Sequence, residues 1–127
     1  MTVVAVDYGR ARTGLAACLE GVPVLLEPVV GGGWRGILAR LLELRDEYGG
    51  ITVALGFPLS ASGNPTALCD EVEKFAAFLR EQDLEVALVR ETGSTGEAVS
   101  AGARDRRDGR LDSAAAAVIL RRFLEIP

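Results

Sequence analysis

Three acidic residues stand where an α/β chain would gather chemistry. Asp7 closes a β-branched run at 3–6, Glu91 follows an apolar run at 86–89, and Asp112 opens the last apolar segment. In open α/β sheets ligands bind just beyond the carboxyl ends of the strands, so acids far apart in sequence can meet there. Crowded carboxylates repel one another unless a positive charge intervenes. A hard divalent cation meets that need, since Mg²⁺ or Mn²⁺ takes oxygen ligands and keeps waters for a phosphate substrate. Two such ions about 3.5–4 Å apart clamp the attacking and leaving oxygens of an in-line phosphoryl displacement. That chemistry uses no imidazole, lysine or thiolate.

Each acid also has an ordinary alternative. Asp7 has the context of an Asx cap on the turn at 8–14. Asp112 has that of a helix N-cap, and Glu91 that of a surface acid paired with Arg90 or Arg110. Glu97, three residues after Ser94, has capping-box spacing. Composition narrows the field further. The 127 residues include no His, which excludes Ser-His-Asp and Cys-His nucleophiles, His-ligated zinc and His general bases. Lys74 is the only lysine among the 14 basic residues. No Gly-Lys-Ser/Thr triplet occurs, so there is no Walker-type P-loop. The turn from Asp7 through Gly9 to Gly14 has glycines enough to wrap a nucleotide phosphate, as in actin-like kinases and ATPases. Those proteins need two such domains and a cleft, and this length makes one domain, 1–127. Arg10 and Arg12 in the turn offer bidentate phosphate contacts, or charge balance for Asp7.

The elements that must position these residues follow from hydrophobic periodicity. Strands are predicted at 3–6, 15–19 and 22–30, the first two antiparallel through the polar turn. Pro23 and Pro28 keep the third near an edge. Trp34, Ile37, Leu38, Leu41, Leu42 and Tyr48 share one helical face, and Gly49-Gly50 ends that helix. A strand at 51–55 ends at Gly56-Phe57-Pro58-Leu59, and a loop follows at 60–65. A helix follows with Leu68, Val72, Phe75, Ala76 and Leu79 inward. A strand at 86–89, a helix from Ser94 to 103, a charged loop at 104–110 and an alanine-rich helix to 124 complete the chain. The order βββαβαβαα implies a mixed α/β sheet with a three-strand antiparallel meander, parallel strands and helices on both faces.

The net charge is −4. That whole excess lies between Asn64 and Glu85, where Asp70, Glu71, Glu73, Glu81, Asp83 and Glu85 face only Lys74 and Arg80. A locally basic face elsewhere is therefore allowed, although nucleic-acid binders usually show a basic excess. Cys18 and Cys69 have no C-x-x-C spacing and read as reduced thiols. The opening MTVVAVDYG lacks a basic n-region, and no apolar run approaches a membrane span, so a cytoplasmic protein with no membrane partner is expected.

These residues resemble the YqgF family of RNase H-like proteins, described as Holliday junction resolvases or pre-16S rRNA nucleases. DYGRARTGLA from Asp7 is similar to the family's D-x-G-x-x-R-x-G-x-A start. ALGFPLSASG from Ala54 is similar to its strand and G-x-P loop. Glu91 with Ser94-Thr95 matches an acid followed by Ser-Thr, and LDSAAAAVIL from Leu111 matches the closing D-x-A-A-A-x-x-L helix. The resemblance runs the length of the chain and implies an RNase H-like fold. It implies that Asp7, Glu91 and Asp112 are catalytic, metal-binding acids, with Asp7 bridging two Mg²⁺ or Mn²⁺ ions. It implies a nuclease acting on structured RNA or branched DNA. Gly9, Arg10, Arg12, Ser94, Thr95, Arg106, Arg107 and Arg110 are the expected substrate contacts. The chain departs from the family where Arg90 precedes Glu91 instead of following it, and where Ser60-Ala61-Ser62 replaces Asn or Asp. Arg110 likewise replaces a lysine. Processing of the pre-16S rRNA 5′ end, with ribosome-assembly partners, is the first expectation. Junction resolution is the alternative, and its two symmetric cuts require a homodimer. A non-catalytic nucleic-acid-binding or assembly protein is the third.

Overall fold

A computed structural model of the chain describes residues 2–59, 62, 64, 66–92 and 110–125, with the backbone alone at 91, 92, 110–113 and 125. Three strands come first: β1 (Thr2–Asp7), β2 (Arg12–Leu19) and β3 (Val22–Val30). Helix α1 (Gly33–Tyr48), strand β4 (Ile51–Leu59), helix α2 (Leu68–Glu81), strand β5 (Glu85–Thr92) and helix α3 (Arg110–Glu125) follow. The expected helix from Ser94, with its Glu97 partner, lies outside the described residues.

Several elements run longer than hydrophobicity suggests. β2 begins at Arg12, which pairs with Val30 and so belongs to the strand, not the turn. β4 continues through Gly56, Phe57 and Pro58, beyond the expected end at Leu55. The last β1–β4 pair is Val6 with Leu55, so Pro58 lies beyond the end of β1. A proline there leaves no unmet ladder bond on that side. Glu91 falls inside β5, paired with Pro58. α3 begins at Arg110, which puts Asp112 within the first turn and not at the N-cap.

The strand order is β3-β2-β1-β4-β5. β1–β2 and β2–β3 are antiparallel, whereas β1–β4 and β4–β5 are parallel. β3 is an edge strand, as its two prolines require. Side chains alternate across the sheet with period two. Val4, Val6, Leu15, Val53, Leu55 and Val86 face α1 and α2, meeting Ile37, Leu41, Leu44, Val72, Phe75 and Leu79. Leu44, seven residues after Ile37, is buried as well, although the expected stripe does not include it. Val3, Ala5, Ala16, Cys18, Ala54 and Val89 face the other way, against Ala116, Ile119 and Leu120 of α3.

An aromatic cluster joins α1 and α2 to the end of β1. Phe75 is fully buried, with ring centroids 5.1 Å from Tyr8 and 5.4 Å from Trp34. Phe78 lies 5.5 Å from Trp34. Such pairs add about 0.5–1.5 kcal/mol beyond the apolar area they bury. Replacing Phe75 with Ala is expected to cost about 3–5 kcal/mol of stability, read as a lower urea midpoint at unchanged slope.

Candidate active site

The site begins with Asp7, the last residue of β1 and half-buried. Val3 and Ala5 face α3, so two-residue alternation turns position 7 to the same side. Val89 faces α3 too, and position 91 follows it by two. Continuing the ladder past Val6–Leu55 and Leu55–Leu88 sets Asp7 level with Val89. Position 91 therefore lies about 6.6 Å further along and two strands, roughly 10 Å, to the side. Asp112 belongs to α3, the helix that covers this face, and stands four residues before Ala116 and seven before Ile119. It continues the helix's sheet-facing stripe by position. A first-turn acid is also favoured by the helix dipole.

The donor set is all oxygen, which fits a hard divalent cation and not a soft one. Among the described residues no group of three or more His, Cys, Asp or Glu side chains forms a metal cluster. The side chains of Glu91 and Asp112 are not among those described. Neither are Ser94, Thr95, Arg106 and Arg107, which lie outside the described residues. Arg110 is the first residue of α3, described by its backbone.

The turn after Asp7 is locked from within. An added Cβ at Gly9 would sit 2.2 Å from the Arg12 carbonyl oxygen, so the backbone itself demands glycine. Thr13 is only 1% exposed. Its hydroxyl donates to the Gly9 carbonyl at 3.1 Å and accepts from the Gly9 N–H at 3.4 Å. The Gly31 N–H donates to the Ala11 carbonyl at 3.1 Å, tying the turn to the residue that follows β3. Thr13 is a residue the sequence reading passes over, although a threonine four residues after a turn glycine is the available signal.

A second set of contacts holds the turn from outside. Tyr8 donates its hydroxyl proton to Glu71 Oε2 and accepts from Trp34 Nε1 at 3.1 Å. Arg10 donates through Nε and Nη2 to Glu71 Oε1, at 3.0 and 2.9 Å. Arg10 thus balances Glu71. Arg12 is exposed at the head of β2. Hydrogen bonds from Arg10, then Tyr8, hold the Glu71 carboxyl below its usual range. Burial, then the bond to Glu71, pushes the Tyr8 phenol up. Glu71 in turn raises the Arg10 guanidinium.

The end of β4 is pinned similarly. The Pro58 carbonyl accepts from Thr66 Oγ1 and from Cys69 Sγ, both at 2.9 Å. Cys69 and Cys18 are both buried free thiols.

A mixed sheet of this order, covered by helices on both faces and carrying an acid at the end of its first strand, has the RNase H-like fold, and the family to which the chain belongs makes it a nuclease, a hydrolase of phosphodiester bonds. The chain belongs to the RuvX family, whose model, described as "Holliday junction resolvase", matches residues 1–126. This is the family its motifs resemble. It is 33% identical to a protein of Prosthecochloris aestuarii named "Putative pre-16S rRNA nuclease", over 97% of this chain and 92% of that one. A protein of the same name from Chlorobium luteolum is 38% identical over 97% of this chain and 93% of its own length. Among solved structures, RuvC of T. thermophilus in complex with a Holliday junction substrate superposes with a TM-score of 0.59. It is 17% identical over 99% of this chain and 96% of that one, a likeness of fold.

Because the folded protein lowers the Glu71 pKa, the folded state binds that proton less readily than the unfolded chain does. The carboxylate's stabilisation is present above its ordinary 4.5 and lost as pH falls through the lower folded value. The melting-temperature gap between the wild type and Glu71→Gln is therefore expected to stay constant near neutral pH and to close on strong acidification, as circular dichroism melts would record.

Proposed function

We propose that this protein is a divalent-metal-dependent nuclease that processes the 5′ end of pre-16S rRNA in the cytoplasm during ribosome assembly. One observation carries the reading. Strand alternation turns Asp7 and position 91 to a single face at the carboxyl end of parallel strands, and the helix bearing Asp112 covers that face. In this reading Asp7, Glu91 and Asp112 would together hold two Mg²⁺ or Mn²⁺ ions. Ions bound there supply Lewis-acid stabilisation of the attacking and departing oxygens. Gly9, Arg10, Arg12, Ser94, Thr95, Arg106, Arg107 and Arg110 are the residues this reading assigns to contacts with the nucleic-acid backbone. Its phosphates set the register while the acids address one bond. The names of the relatives from Prosthecochloris and Chlorobium support an rRNA precursor as substrate.

The family description favours a second reading, resolution of Holliday junctions. That reaction needs two symmetric cuts and hence a two-fold dimer on DNA. No described helix is long and apolar enough to cross a membrane, which is compatible with either substrate.

A cleavage assay with Mg²⁺ or Mn²⁺ on precursor rRNA and on a four-way junction, run beside Asp7→Asn, tests the proposal. Asp7→Asn is expected to lower the rate at least about a hundredfold, near 2.7 kcal/mol of barrier, without shifting the melting temperature. Chelation by EDTA is expected to do the same to the wild type. Cleavage that survives both treatments would remove the metal-nuclease assignment.

A further inference from the structure

The contacts around Glu71 go beyond what the fold needs to close its turn. Gly9 and Thr13 already lock the backbone from within. Glu71, in the first turn of α2, nevertheless commits both carboxylate oxygens to the segment after Asp7. Oε2 takes the hydroxyl of Tyr8, the residue next to Asp7, and Oε1 takes two donors of Arg10. Tyr8 is itself braced by Trp34 Nε1 and packed on Phe75. The Arg10 side chain remains 74% exposed, against 26% for Glu71. Its Nε and Nη2 are spent on Oε1, and Nη1 is not spent on Glu71. A loose arginine gives up rotamer freedom when it grips a ligand, and one already held gives up less.

We propose that Glu71 is a positioning residue: it holds the Arg10 guanidinium, with Tyr8 and Trp34 as its brace, so that Arg10 meets a backbone phosphate of the nucleic acid beside Asp7. This deepens the nuclease reading and rests on it. Charge alone would give the opposite sign. Glu71 is negative and close to Arg10, so neutralising it makes the surface more attractive to a polyanion. Positioning makes the same change weaken binding.

The test is a binding measurement in EDTA, where hydrolysis does not intervene. The probes are a labelled pre-16S rRNA leader fragment and a four-way DNA junction. Glu71→Ala is expected to raise Kd about two- to fivefold, the range that exposed charge pairs command. Glu71→Gln changes the charge equally but keeps an acceptor for Arg10, so it is expected to recover part of that loss. In an Arg10→Ala background, Glu71→Ala is expected to add no further weakening. Melting temperatures confirm that each variant folds. If Glu71→Ala does not fold, the same cycle runs with Glu71→Gln and Arg10→Ala. Unchanged or tighter binding by Glu71→Ala overturns the inference, as does weakening that persists without Arg10. A wild type that cleaves while Glu71→Ala binds undiminished loses only the positioning role. A wild type that neither binds nor cleaves either probe loses the nuclease reading and this inference together.

Discussion

A strand covered on both sides must send consecutive side chains in opposite directions, and β1 meets that constraint up to its last residue. Val4 and Val6 belong to one core and Val3 and Ala5 to the other. At the strand's end the same rule parts Asp7 from Tyr8. The acid goes to the α3 side, and the phenol goes to the aromatic cluster between α1 and α2. The two halves of the molecule thus have different duties. One face receives Asp7 at the end of β1, and the other fixes the backbone that carries it.

This division also explains how a chain without histidine, and with one lysine, can serve phosphate chemistry. Oxygen ligands hold hard cations, and arginine is the cation suited to planar, bidentate recognition of phosphate. The local excess of acid on α2 is partly taken up by the site itself. Glu71 is engaged by Tyr8 and Arg10, whereas Asp70 and Glu73 on the same helix are exposed. The charge run is therefore not uniformly a solvated face.

Much of the architecture was legible in the pattern of apolar residues. β3 was delimited by its turns at Gly21 and Gly31, and α1 by Gly49, a residue at φ 73° that ends the helix. Strand ends were harder to see because they are polar or irregular. Arg12, Pro58 and Glu91 look like turn residues in one dimension, yet each pairs across the sheet. Their extension depends on a neighbour strand, which local composition does not encode. Asp7 stands out as a candidate because it breaks a β-branched run. Glu71 does not, since it sits amid a run of helix-face acids and its partners are 61 and 63 residues away. Thr13 was hidden for a similar reason: a buried hydroxyl is recognisable only once its acceptor is in place.

The α3 side of the sheet is lined with small side chains, and this sets a dimension. Ala5, Ala16 and Ala54 meet Ala116 with no exposure at all. Methyl groups act here as shims, and the gap they leave decides how high the helix rides above the strands. Asp112 is carried on that helix, so its elevation over Asp7 is gauged one turn away, by alanines that bear no charge. Enlarging any of them by two carbons would jack the helix outward. A purely apolar change would in this way shift the backbone of Asp112 relative to Asp7.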